Sequence, residues 1–335
     1  AQQLADPDRA YLSGGQLQGA TLRPERGLGL DDDSREFLTG SDHAGGGLWR
    51  MLASGVPVVE VASFAHPKVV PNMRDAEEVF ARIRRKPGIV YRGQAPNVRG
   101  AHRAIDARVG EMLGLITVSE TYTHHNQNMT NEQCIEQNVQ SFRLAEQNGI
   151  PFVMALGMAF WCPYEGLIPD EAVIDMVGQF HNAGIKRQYL AGSIGMEDPA
   201  HVNRLFRKLY DKYPDLELGF HIHNLSGMAT GNIVAAMDAG VHWLEGAICG
   251  IGGGMAIPTT VGKVGNFPLE DLVTMLEEMG VGTGLKSKDV IAAAHEIGKR
   301  LGIPVDSHRG TGCTREDVMR AGAESPKNPQ VNTMA

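Results

Sequence analysis

From residue 56 onward, short runs rich in β-branched and apolar residues alternate with longer stretches of helical spacing. Few folds other than a parallel sheet built from repeated strand–helix units accommodate that rhythm. The runs VPVVEVAS (56–63), GIVYRGQ (88–94), LITVSE (115–120), PFVMALG (151–157), KRQYLAG (186–192), LELGFHI (216–222) and HWLEGAIC (242–249) read as strands. Between them the spacing predicts helices near 73–85, 99–111, 130–148, 169–184, 198–213 and 228–240, with two more near 269–279 and 286–302. An earlier strand at 19–23 brings the strand count to eight, and this order predicts an α/β fold, a closed (β/α)8 TIM barrel with additional C-terminal helices and a tail. At 335 residues and 42% hydrophobic content the chain is long enough for one such core. It reads as a catalytic domain over 1–303 with an N-terminal extension, followed by a tail over 304–335 that carries one short helix at 315–321.

Charge and cysteine usage narrow the function classes. The net charge is −8 and the basic residues are scattered apart from short runs such as Arg82 to Lys86, so the sequence shows no electrostatic footprint for nucleic acid. Cys134, Cys162, Cys249 and Cys313 are far apart and form no C-x-x-C pair, which argues against a disulfide framework and a structural zinc site and fits a reducing cytoplasm. The first residues lack a basic segment followed by an apolar core, and the richest apolar stretch, 151–162, is too short to span a bilayer. A cytoplasmic protein with no membrane partner is therefore expected. The segment 26–47, with the acidic run Asp31-Asp32-Asp33, is long for a strand–helix loop and reads as an active-site loop or a poorly ordered one.

The chemistry points to Gly219-Phe220-His221-Ile222-His223-Asn224, which ends a strand and leads into a helix. Side chains at i and i+2 of a strand share a face, so His221 and His223 can reach one point, and a divalent metal is the obvious occupant. The competing reading is a pair of strand-end histidines satisfied by backbone carbonyls.

Several further segments, taken in order, resemble the hydroxymethylglutaryl-CoA lyase family and its metal-dependent barrel superfamily over roughly Val58 to Leu301. They are Val59-Glu60-Val61-Ala62-Ser63-Phe64 with Pro67-Lys68; Ala95-Pro96-Asn97-Val98-Arg99-Gly100; Ser119-Glu120-Thr121 through Asn126 to Asn128; Cys162-Pro163-Tyr164-Glu165-Gly166; His221-Ile222-His223-Asn224; Gly250-Ile251-Gly252-Gly253; and Gly265-Asn266 leading into Leu269-Glu270-Asp271. The resemblance implies a carbon–carbon lyase acting on a 3-hydroxyacyl-CoA such as hydroxymethylglutaryl-CoA or on a related hydroxy acid. An aldolase or Claisen-type condensing enzyme of the same superfamily, or a catalytically silent paralogue, are the alternatives. It further implies a Mg²⁺ or Mn²⁺ ion on His221, His223 and Asn266, a small-molecule substrate and a homo-oligomer. Glu60 matches a strand-two carboxylate near the metal, and it is read either as catalytic or as a carboxylate behind the ligands or in solvent.

Departures from the family fall at catalytic positions. In Thr21-Leu22-Arg23-Pro24-Glu25-Arg26-Gly27-Leu28 the family's Arg-Asp pair is missing in either possible register. We expect Arg23 to supply the catalytic cation and Glu25 the fourth metal ligand, against the reading that both are loop charges. Gly192 stands where the family has an Asp after strand six, and Gly254 where it has a mobile Cys, while Cys249 reads as a buried small apolar residue. His124, Asn126 and Ser193 are the expected substrate contacts, with His124 and His125 either a substitute acid and thioester-phosphate contact or solvated loop histidines.

Overall fold

The computed structural model of the chain describes residues 56–68, 70, 73–252, 257 and 265–324. Among these, seven strands form one sheet in chain order with every neighbouring pair parallel: β1 (Val58–Ser63), β2 (Val90–Gln94), β3 (Glu111–Thr117), β4 (Phe152–Gly157), β7 (Arg187–Gly192), β8 (Glu217–Ile222) and β9 (Trp243–Glu245). A separate antiparallel hairpin, β5 (Trp161–Cys162) and β6 (Gly166–Leu167), sits between β4 and the next helix. The helices are α1 (Ala76–Arg82), α2 (Val98–Asp106), α3 (Glu120–Gln127), α4 (Asn131–Gln147), α5 (Asp170–Asn182), α6 (Pro199–Lys212), α7 (Ala229–Ala239), α8 (Leu269–Glu278), α9 (Ser287–Leu301), α10 (His308–Thr311) and α11 (Arg315–Glu324). None of them is long and apolar enough to cross a membrane.

Strand burial is nearly unbroken, as a parallel sheet covered on both faces requires. All six residues of β4 and five of six in β7 and β8 are buried. Alternate positions separate two cores. Leu190, Leu218, Phe220 and Ile222 pack outward against the helices, while Leu113, Val153, Ala155, Tyr189, Ala191 and Trp243 pack together on the other face. That second face is the inside of a strongly curled sheet. β2 and β9 are five strand spacings apart, about 24 Å if the sheet were flat, yet the Arg92 guanidinium donates to the Glu245 carboxylate at 2.8 Å. The sheet therefore wraps as a barrel wall does. The strand expected at 19–23 and the segment 26–47 lie outside the described residues.

Element boundaries follow local chemistry. α4 begins in a reciprocal cap, with the Thr130 hydroxyl accepting from Gln133 N and the Gln133 side chain accepting from Thr130 N. Asp198 caps α6, with Pro199 at its first turn. Two expectations need correction. The strand expected at 115–120 starts at Glu111 and ends at Thr117, because the Ser119 hydroxyl accepts from Tyr122 N and starts α3, a helix the spacing did not reveal. The strand expected at 242–249 ends at Glu245: beyond it Ala247 N donates to Phe267 O and Leu269 N to Ala247 O, so this backbone pairs with the 266–269 segment rather than with β8. At the other end, Ser307 Oγ donates to Glu270 at 2.6 Å, and Asp271 accepts from His308 N and Arg309 N, so residues 307–309 pack back against α8.

Gly219 on β8 is required by the barrel interior, since a Cβ there would overlap the Trp243 indole. Gly219→Ala is expected to lose about 1–3 kcal/mol of stability, the usual penalty of overpacking a filled core. The check is the midpoint of chemical unfolding at unchanged slope, and a variant as stable as the parent contradicts this packing.

Candidate metal centre and active site

β8 presents its odd-numbered residues to the barrel interior, so His221 points inward beside Ala191 on β7 and Glu245 on β9. His223 follows at the strand's mouth, and the two imidazoles lie 5.3 Å apart at 55°. Both are buried, as is Asn266. His223 and Asn266 face each other across an isolated antiparallel bridge, which Phe267 N fastens by donating to Ile222 O at 2.7 Å. The Asn266 amide in turn donates to Ile251 O at 2.6 Å. The structure thus brings together the three residues that the sequence singles out as metal ligands.

The two imidazoles differ in their surroundings. His221 Nδ1 lies 3.2 Å from Glu245 Oε2. Glu245 Oε1 accepts from Arg92 Nη1 at 2.8 Å and from Trp243 Nε1 at 3.2 Å. Arg92 Nε donates to Glu111 at 2.7 Å, and Arg187 donates to the other oxygen of Glu111. Burial opposes the charge on Glu245, but Arg92 and His221 more than offset it and hold its carboxyl below the ordinary range. An ionised Glu245 only accepts, so His221 Nδ1 is the donor in this contact. Burial first, then the neighbouring His221, pulls the His223 pKa down to about 3 despite a hydrogen bond to the Gly265 backbone. Its Nδ1 is buried and has no hydrogen-bond partner among the described residues. Tyr189 stacks on His221 with ring centroids 5.7 Å apart, and burial, then Glu245 and Glu60, push its phenol well above the ordinary value, so it is a neutral hydroxyl.

Two buried imidazoles and a carboxamide, one imidazole with an orphaned buried nitrogen, fit a divalent cation that accepts mixed nitrogen and oxygen ligands. Among the described residues no group of three His, Cys, Asp or Glu side chains could hold a metal ion, and the fourth ligand expected from the sequence is a carboxylate. Glu25, expected to supply it, lies outside the described residues, as do Arg23 and Gly254.

Glu60 is buried on β1, level with Arg92 in the strand register and within electrostatic reach of Tyr189. Ser193 lies just past β7, where its hydroxyl accepts from Met158 N at 3.0 Å. His124 and Asn126 sit on α3, His124 exposed and Asn126 half-buried, and the His125 ring stacks on Tyr164 at 4.7 Å. Cys249 is buried in left-handed backbone with its thiol against Ala294 O, and burial pushes its pKa up to about 12, which excludes easy thiolate chemistry. The sequence reading missed Glu245, Arg92 and Glu111. The available signal was a charged residue at an inward-facing position of an otherwise apolar strand.

A second buried carboxylate was also missed. A Cβ at Gly192 would overlap the Glu197 carboxylate, so the glycine at the end of β7 makes room for that group. Neither oxygen of Glu197 has a hydrogen-bond partner of good geometry among the described residues, and burial raises its pKa to about 7. The unfolded chain releases this proton near the ordinary value of 4.5, so between that pH and about 7 the folded state holds the proton longer and wild-type stability falls as pH rises. Relative to wild type, Glu197→Gln should gain on the order of 3 kcal/mol across that window, read from denaturation curves at pH values on either side. A difference that stays constant with pH contradicts this.

Comparison with known proteins agrees with the geometry. The HMGL-like family model matches residues 48–297. A hydroxymethylglutaryl-CoA lyase of Bacillus subtilis is 32% identical over 258 residues, covering 77% of this chain and 85% of its own length. A 3-hydroxy-3-isohexenylglutaryl-CoA/hydroxymethylglutaryl-CoA lyase of Pseudomonas aeruginosa is 29% identical, covering 75% of this chain and 83% of its own. Among solved structures, an HMG-CoA lyase from Acinetobacter baumannii in complex with coenzyme A and 3-methylmalate superposes with a TM-score of 0.81 at 28% identity, covering 93% of this chain and 97% of that one. The (β/α)8 architecture expected from the strand–helix rhythm is the fold of these neighbours, and the chain belongs to the HMGL-like family and is an enzyme of the lyase class.

Proposed function

We propose that this lyase cleaves a carbon–carbon bond in hydroxymethylglutaryl-CoA or a closely related 3-hydroxyacyl thioester, with Mg²⁺ or Mn²⁺ held by His221, His223, Asn266 and Glu25. The observation that carries the reading is the convergence of two buried imidazoles and a carboxamide at the C-terminal mouth of the sheet, where barrels of this kind carry their chemistry. Support for a thioester substrate comes from the relatives, one of which is named for two glutaryl-CoA substrates and another of which holds coenzyme A.

In such a cleavage the 3-hydroxyl loses its proton and its oxygen becomes a ketone. The electron pair of the breaking C–C bond passes to the α-carbon of the thioester, and the resulting enolate takes up a proton to leave as an acyl-CoA. A bound divalent ion supplies Lewis acidity toward the hydroxyl and carbonyl oxygens. Glu245 orients the His221 ring, the bond to Ile251 O fixes the Asn266 side chain, and burial keeps His223 unprotonated. We assign Glu60 to the acid–base set, Arg23 to the developing negative charge, and His124, Asn126 and Ser193 to the substrate. With Gly254 at the loop position and Cys249 committed to Ala294 O, proton delivery to the enolate falls to a group other than a loop thiol. The Thr21-Leu22-Arg23 register favours a second reading, an aldolase or acyl-condensing enzyme of the same superfamily. We further propose a cytoplasmic homo-oligomer, to be checked by light scattering.

Manganese-loaded protein incubated with hydroxymethylglutaryl-CoA and a panel of 3-hydroxyacyl-CoA esters is expected to release acyl-CoA and a keto acid. His223→Ala and Asn266→Ala should lower kcat/KM by about 100-fold or more. Turnover of pyruvate or acetyl-CoA in the condensing direction alone would select the second reading, and no turnover of any of them a silent paralogue.

A further inference from the structure

Inside the barrel wall three charged side chains are withdrawn from water almost completely: Arg92 is 1% exposed, Glu111 2% and Glu245 0%. Such groups seldom add net stability, because their desolvation offsets their attraction. Their arrangement indicates another use. A hydrogen-bonded chain runs from Arg187 on β7 to Glu111 on β3, to Arg92 on β2, to Glu245 on β9, and ends on Nδ1 of His221 on β8. Five of the described strands are thereby tied to the orientation of one imidazole.

We propose that Glu245 is a positioning residue for His221, holding the proton on Nδ1 so that Nε2 presents its lone pair to the cation, and that Arg92, anchored by Glu111, holds Glu245 in place. This inference rests on the metal-site reading for the identity of the ligand, but not for the proton's position. The atoms around Glu245 explain why a carboxylate is needed. Oε1 already receives two N–H donors, from Arg92 and Trp243, and Oε2 must accept a third from His221. A carboxylate accepts at both oxygens, whereas an amide accepts at one and donates at the other. In Glu245→Gln the two donors on the Oε1 side claim the amide oxygen and the NH₂ turns toward His221. Nδ1 then has to accept, the ring proton moves to Nε2, and the nitrogen that faces the cation loses its lone pair.

Ring-nitrogen NMR on metal-free protein labelled with ¹⁵N in histidine distinguishes the two tautomers directly. The His221 signals are assigned by their loss in His221→Asn, and spectra are taken at about pH 8, where free imidazole is neutral. Wild type should show a protonated Nδ1 and a bare Nε2, Glu245→Gln the reverse, and Glu245→Asp, which keeps an acceptor-only group, the wild-type pattern. Titration with Mn²⁺ followed by EPR should give about 10- to 100-fold weaker binding in Glu245→Gln. An unchanged tautomer in Glu245→Gln, or Mn²⁺ affinity within threefold of wild type once the tautomer has reversed, overturns the proposal. If wild type binds no Mn²⁺, the metal reading fails by itself, and the tautomer comparison still decides whether Glu245 sets the His221 proton.

Discussion

A fully buried carboxylate on which three N–H groups converge organises the centre of this molecule. Glu245 meets Arg92, Trp243 and His221 at 2.8, 3.2 and 3.2 Å, and stripped of those donors an ionised group at that depth would be untenable. The sheet must therefore curl until β2 and β9 approach, and Arg92 must be held by Glu111 on the far side. The same contacts engage Nδ1 of His221 rather than Nε2. Fold and candidate chemistry thus share their polar interior, which is unusual in a barrel whose inner layer is otherwise packed with Leu113, Val153, Ala155 and Trp243.

Two glycines show how closely this interior is fitted. Gly219 leaves the space that the Trp243 indole occupies, and the indole nitrogen is one of the donors that fix Glu245. Gly192, at the end of β7, leaves space for the Glu197 carboxylate. In the family that the chain resembles, position 192 carries a carboxylate of its own. Here a carboxylate reaches the end of the strand from five residues downstream.

Much of the architecture was legible in the sequence, because strands buried on both faces have to be apolar throughout and leave a signal such as PFVMALG. The two-residue period of a strand also sufficed to place His221 and His223 together. The missed features have physical reasons. Arg92 and Glu245 are 153 residues apart in the chain, and their contact exists only once the sheet closes. α3 escaped because its start depends on a Ser119 cap rather than on apolar spacing. The last strand was overextended because Ala247 pairs with Phe267, a partner that local patterning does not reveal. The expected roles of Arg23 and Glu25 rest on a segment outside the described residues, and they stand on the resemblance alone.

The central claim is that one cation is bound by the two imidazoles of β8. Pulsed EPR of Mn²⁺ added to protein carrying ¹⁵N in its histidines measures this most directly, because only nitrogens bonded to the ion couple strongly to its electron spin. Two such nitrogens are predicted, with one lost in His221→Asn and the other in His223→Asn. A spectrum with no directly bound nitrogen, at Mn²⁺ concentrations that saturate the protein, would contradict the account.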